Sequence, residues 1–136
     1  DDLAIHRPAV DRRNSTLVER PFADFADTIV RSYLYDRYED IVLAALEDGD
    51  HQEVVGRAGV ARSEETFHRE HVEEWLAVFE TLERDDDRAR VREAVTSNLD
   101  HAGDLFAFPD GEVLVDAGVL ARAPGDLAVE WRERED

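Results

Sequence analysis

Residues 24–47, DFADTIVRSYLYDRYEDIVLAALE, decide the fold. Ala26, Val30, Leu34, Tyr38, Ile41 and Ala45 alternate at spacings of three and four, the pattern of one buried helical face. Phe22, Phe25, Ile29, Tyr33 and Asp36 form a second stripe beside the first. Two stripes on one helix predict packing against more than one neighbour. Glu47-Asp-Gly-Asp50 closes the segment, with Gly49 placed to end the helix and Asp50 to cap the next.

A second helix is expected over about residues 52–82, roughly 46 Å at about 1.5 Å per residue. Its stripe runs Val54, Ala58, Ala61, Glu65, His68, Val72, Trp75 or Leu76, Phe79, Leu82, which places a polar pair inside an apolar seam. The Asp85–Asp87 run breaks the pattern and supplies a cap. A third helix over about 87–106 follows through Val91, Val95, Leu99, Ala102 and Phe106. After Pro109-Asp-Gly111, Glu112 to Val115 reads as a short extended piece. Pro124 opens a short terminal helix that includes Ala128 to Glu133. The expected organisation is an irregular lead-in (1–21), an all-α core (22–108) and a C-terminal extension with a short helix (109–136).

Charge is the outlier of the composition. Acids number 34 against 16 bases, a formal net charge of -18, and every base is Arg. Such a chain repels itself at low ionic strength, where the Debye length is about 10 Å at 0.1 M; at about 1 M it falls to about 3 Å. The acids are spread along the chain rather than gathered in a tail, so the expectation is a protein adapted to a salt-rich, halophilic cytoplasm. The rival is an acidic module for basic partners. Nucleic-acid binding is disfavoured, because it needs a basic patch. With no Cys, disulfides and thiolate sites are excluded. No apolar run is long enough to span a bilayer, and no secretory signal opens the chain, so a cytoplasmic protein is expected. The sequence contains no Met, which suggests that Asp1 is internal to a longer reading frame.

Antiparallel helices with inward carboxylates and a Glu-x-x-His pair are half of a ferritin-like bundle, whose dinuclear sites take a Glu from each of two helices and Glu-x-x-His from the other two. Glu65 and His68 have that spacing, which sets both on one helical face. Glu64, four residues before His68, is an alternative, and Asp36 on the preceding helix supplies a facing carboxylate. The bland reading is equally concrete: a Glu–His hydrogen bond satisfies the pair without metal, and Asp36 partners an Arg. His71 reads as an edge residue. His6, His51 and His101 lie near segment ends and carry no role. Trp75 and the tyrosines read as core or subunit contacts, and no nucleophile with an attendant base is present.

Three stretches resemble one family: Asn14–Pro21 (NSTLVERP), Phe22–Tyr38 (FADFADTIVRSYLYDRY) and Ala61–Trp75 (ARSEETFHREHVEEW). The family is the C subunit of phenylacetyl-CoA oxygenase, also called ring 1,2-phenylacetyl-CoA epoxidase. Phe25–Ile29 (FADTI), followed by Arg31, Tyr33 and Asp36, is the most specific piece; Glu64-x-x-x-His68 and Ala102–Phe106 (AGDLF) agree in order and spacing. The match covers about residues 10–108. It implies a ferritin-like bundle without a functional centre of its own, paired with a catalytic A subunit that carries the di-iron centre. It also implies a non-catalytic, structural role in aerobic phenylacetate catabolism, with no cofactor in this chain. Family members begin with two further helices, so the resemblance implies a fragment whose exposed helix faces are open to association, including possible self-association. Phe25, Asp27, Tyr33 and Trp75 are the expected packing and interface residues. Against this stands a di-iron oxygenase or oxidase whose other half-site lies outside the chain, with Asp36, Glu65 and His68 as ligands and Glu64 as the alternative.

Overall fold

The computed structural model describes residues 7–11 and 13–135. Helix α2 (Phe25–Glu47) is the axis of an all-α, ferritin-like bundle, and α1 (Thr16–Glu19), α3 (Gln52–Glu80), α4 (Asp85–Asp100) and α6 (Pro124–Glu135) pack around it. A 3-10 turn at Ala9–Asp11 and the short α5 (Gly111–Asp116) complete the described elements, among which there is no strand. Because neighbours surround α2, both stripes are used. Val30, Leu34, Ile41 and Ala45 of the first are buried, as are Ile29 and Asp36 of the second. An apolar core extends from Leu17 through α2 to Leu120, Leu127 and Trp131, so residues far apart in the chain share it.

Asp24 starts α2 by accepting the Asp27 N–H at 2.9 Å, a side-chain cap for an unpaired amide. The turn at its far end is held by the chain's own tail. Asp50 N donates to Gly118 O at 2.7 Å, and Ala121 N donates to Ala45 O at 3.0 Å. A Cβ on Gly49 would lie 2.5 Å from Val119 O, so only glycine admits this approach. Gly118 itself has a φ of 70°, in the left-handed region. Helix α6 then runs back along α2, and Trp131 Nε1 donates to Leu34 O at 3.1 Å.

Several expectations change. Glu112–Val115 is not extended; it lies within α5, where Leu114 and Val115 pack against the core. His51, not Asp50, caps α3, its ring accepting from Val54 N. The Asp85–Asp87 run fills the first turn of α4 instead of preceding it, and favours the positive end of the helix dipole. Helix α4 ends at Asp100, and Ala102 and Leu105 enter the core from the turns that follow. Its buried face is also rotated: Ala94 and Asn98 are buried, whereas Val95 and Leu99 are 38% and 41% exposed.

The cause of that rotation is Asp27. Its carboxylate is buried and accepts from Arg20 Nη1 at 2.7 Å, Asn98 Nδ2 at 2.9 Å, Ala23 N at 3.1 Å and Arg31 Nη2 at 3.3 Å. Arg20 also donates to Asn98 Oδ1 and Ser97 Oγ, and Arg31 to the carbonyls of Arg20 and Pro21. The network joins α2 to α4 and to the segment after α1. Burial acts to raise the Asp27 pKa, but the Arg20, Ala23 and Asn98 hydrogen bonds outweigh it and hold the group below its ordinary 3.8. The stability it contributes is therefore present above that value and lost as pH falls through the folded-state value. Replacing Asp27 with Asn leaves the buried Arg31 and the partly buried Arg20 guanidinium groups without their carboxylate. The variant is expected to lose about 3 kcal/mol at pH 7 and to show a flatter acid limb below about pH 4. Denaturant unfolding followed by circular dichroism across pH 2–7 checks both.

Candidate functional site

Helices α2 and α3 are antiparallel, joined by the short turn at Gly49, so residues equidistant from that turn face each other. Far from the turn, Phe25 meets Trp75 edge-on with ring centroids 4.8 Å apart, and Phe79 at 6.3 Å. Near the turn, Arg62 Nε donates to Asp40 Oδ1 at 2.8 Å and its Nη1 to Glu47 Oε2 at 2.9 Å, a forked clamp. Between these two joints lies the polar seam.

There Asp36, Glu65 and His68 come together. Each offers one donor atom within 4.8 Å of the others, the one such cluster of three among the described residues. His68 Nδ1 lies 2.9 Å from Asp36 Oδ2 and 3.7 Å from Glu65 Oε2. Asp36 is buried, with a side chain 6% exposed, but the His68 side chain is 51% exposed. The expectation of an interior His68 is thus corrected: α3 leans on α2 alone along this stretch, and its ring sits at the rim. Asp36 takes His68 as its neighbour, not an Arg, although Arg69 contributes positive charge from the next position. No aligned hydrogen bond reaches Asp36 Oδ2 despite the short distance to the imidazole.

The electrostatics follow from this crowding. Burial, then the nearby Glu65 charge, push the Asp36 pKa up to about 6, while His68 and Arg69 pull the other way. Glu39, one turn along α2, is also raised, by burial and by Glu65 and Asp36. Tyr35 and Tyr38 beside them are raised too, mainly by burial, Tyr38 to about 12. So a carboxylate-rich seam on α2 faces one imidazole on α3.

The remaining candidates lie apart from it. Glu64 is on the outer side of α3 with Gly56, Val60 and Ala61, and does not join the cluster. Phe25 and Trp75 form the aromatic joint, and Asp27 anchors the Arg20–Asn98 network. Tyr33 lies under the Arg37 guanidinium, 5.3 Å from the ring centre. His71 is exposed, His51 is a cap, His101 Nδ1 contacts Ser97 O at 2.7 Å, and His6 lies outside the described residues. Sequence reasoning missed Glu39 and Asn98. Glu39 stands three residues from Asp36, a spacing that shares a helical face. Asn98 gave no apolar signal, because it is a polar residue at a fully buried position.

A dinuclear carboxylate centre takes donors from four helices. The three donors here come from two helices, with a guanidinium charge close by. They fit half of such a centre, and the buried Oδ2 without an aligned donor is the feature that suits a cation.

The sequence profile of the phenylacetic acid catabolic protein family matches residues 1–135, and the chain belongs to that family. No curated protein matches the chain.

Because Asp36 has a folded pKa of about 6 against an ordinary 3.8, its stabilising form is the protonated one. That contribution is complete below the ordinary value and is lost as pH rises through about 6. Asp36→Asn is expected to be more stable than the parent at pH 8, with less change in melting temperature between pH 4 and 7. Thermal melts at fixed ionic strength measure this.

Proposed function

We propose, from that membership, that the chain is a non-catalytic structural subunit of a multicomponent phenylacetyl-CoA epoxidase in aerobic phenylacetate catabolism. Its partner is the catalytic A subunit, whose di-iron centre supplies dioxygen activation. The observation that carries this reading is the close contact of His68 with Asp36, 2.9 Å apart across the α2–α3 joint. The donors of the half-site there face each other, and Arg69 adds positive charge where a cation would have to compete. In this role Asp36, Glu65 and His68 set the register of α2 against α3, between the aromatic joint and the Arg62 clamp. The partner then docks on a preformed helix pair.

A second reading rests on the unaligned Asp36 Oδ2: a di-iron oxygenase or oxidase whose other ligands come from outside the chain. Asp36, Glu65 and His68 would hold the metal there. Iron analysis of the full reading frame separates the two. The structural role predicts near-zero iron per chain, unchanged by His68→Ala, with oxygenase activity of the reconstituted complex dependent on the chain's presence. About two irons per chain, lost in His68→Ala with assembly intact, would overturn it in favour of the second reading.

The acidic surface supports a cytoplasm rich in salt as the working environment. A formal charge of -18 on 136 residues opposes compaction until counterions screen it. Raising KCl from 0.1 M to about 2 M is expected to raise the melting temperature by several degrees. A melting temperature indifferent to KCl contradicts this.

A further inference from the structure

Asp36, Glu65 and His68 bring three donors of metal-ligand type within 4.8 Å of one another, and Asp36 Oδ2 is buried without an aligned hydrogen-bond donor. One imidazole and two carboxylates form a set that zinc, cobalt and ferrous iron all accept. Yet the residue that follows His68 is an arginine. Arg69 stands in the same seam, its side chain 20% exposed, and its charge acts on Asp36.

The surroundings of Arg69 fix it there. Its Nη1 lies 3.5 Å from Asp40 Oδ1, and its Nη2 donates to Thr66 Oγ1 at 3.3 Å. Asp40 is one turn beyond Asp36 on α2, so a guanidinium held at Asp40 is held beside Asp36 as well. Asp40 does not depend on this pairing. Arg62 Nε donates to the same oxygen at 2.8 Å, and Arg134 Nη1 approaches the other at 3.9 Å. A second guanidinium is therefore kept next to the donor cluster although Asp40 is already served by the first.

We propose that Arg69 is the residue that keeps divalent metal out of the seam. The inference rests on the structural reading given above and names the residue behind it. A divalent ion bound by Asp36, Glu65 and His68 would bring two positive charges up to a third. The seam is only partly open to water, and there such repulsion is several times stronger than in bulk solvent. A guanidinium does not titrate in proteins, so it cannot give way to an incoming metal as a histidine does by losing its proton. The groups that meet at the seam are all on α2 and α3, whatever packs against the outer faces of these helices.

The test measures metal binding by the full chain at one fixed ionic strength, with Co2+ followed by its visible absorption and Zn2+ by calorimetry. Arg69→Gln is expected to bind one ion per chain about tenfold more tightly than the parent. His68→Ala in that background should abolish the gain. Arg69→Lys, which restores a positive charge, should bind less tightly than Arg69→Gln. Arg57→Gln removes the same charge from an exposed pair with Glu53 on the same helix, and should bind like the parent. Should Arg69→Gln fail to fold, Arg69→Met, which keeps the apolar stem, must show the same gain. No gain in the neutral variants, an equal gain in Arg57→Gln, or a gain that survives His68→Ala overturns the proposal. A parent without iron in which Arg69→Gln changes nothing removes this inference alone. A parent that already holds metal tightly through His68 removes the structural reading with it.

Discussion

Asp27 is a buried anion in the wall of the central helix, and the rest of the packing is arranged around satisfying it. A carboxylate taken out of water costs several kcal/mol unless charges and donors replace its hydration. Here the replacements come from three places: Arg20 after α1, Arg31 within α2 and Asn98 on α4. Each supplier is fixed by its task. Asn98 must turn inward, and because it lies on a helix it brings Ala94 with it and rotates Val95 and Leu99 out. Arg20 must reach back over the start of α2, which sets the path of the lead-in and places Leu17 in the core. One polar group thus orients an apolar interface.

Asp36, nine residues further along the same helix, has the same side chain and the opposite fate. Both are buried, with side chains 3% and 6% exposed. Asp27 is surrounded by cations and amides and is held ionised. Asp36 is surrounded by Glu39, Glu65 and an imidazole at the rim, with only that imidazole and the more distant charge of Arg69 to offset burial, and its pKa moves up to about 6. Burial pushes both values up, more strongly at Asp36, and only at Asp27 do the surrounding donors outweigh it. The first arrangement favours the folded state at neutral pH, and the second weakens it. Asp36 thus sits at the α2–α3 joint at a cost in stability, which fits the register-setting role proposed for the seam.

How far these arrangements were legible depends on what each part rests on. The long helices α2 and α3 announced themselves, because their apolar spacing runs over many turns and Gly49 punctuates it. The half-site was legible for the same reason: once two antiparallel helices are fixed, Asp36, Glu65 and His68 must share a face. What failed was set by tertiary contact. The Glu112–Val115 segment has β-branched residues, yet Leu114 and Val115 pack against the core and the segment winds into α5. Apolar spacing alone puts Val95 and Leu99 on the buried face of α4, because an apolar pattern cannot reveal that Asp27 calls for an Asn. His68 was expected inside because its stripe is continuous, but continuity on α3 says nothing about whether a second helix covers it.

The use of arginine as the sole base ties these observations to the charge of the chain. A Lys ammonium is a single point charge, whereas a guanidinium offers a planar fork that can serve several acceptors at once. Arg20 binds a carboxylate, an amide oxygen and a hydroxyl, and Arg62 spans Asp40 and Glu47. With about half as many bases as acids, each cation does most by bridging. Direct pairs shielded from solvent are also the ones that salt screens least, since screening acts mainly on exposed charges separated by a Debye length or more. The Arg20–Asp27 pair, with side chains 13% and 3% exposed, is of that kind, and the Arg57–Glu53 pair at 81% and 68% is not. High ionic strength would therefore weaken the repulsion among surface acids and leave the internal arginine contacts nearly intact. A concentration of salt that would screen these surface acids would thus spare the internal bonds that hold the helices in place.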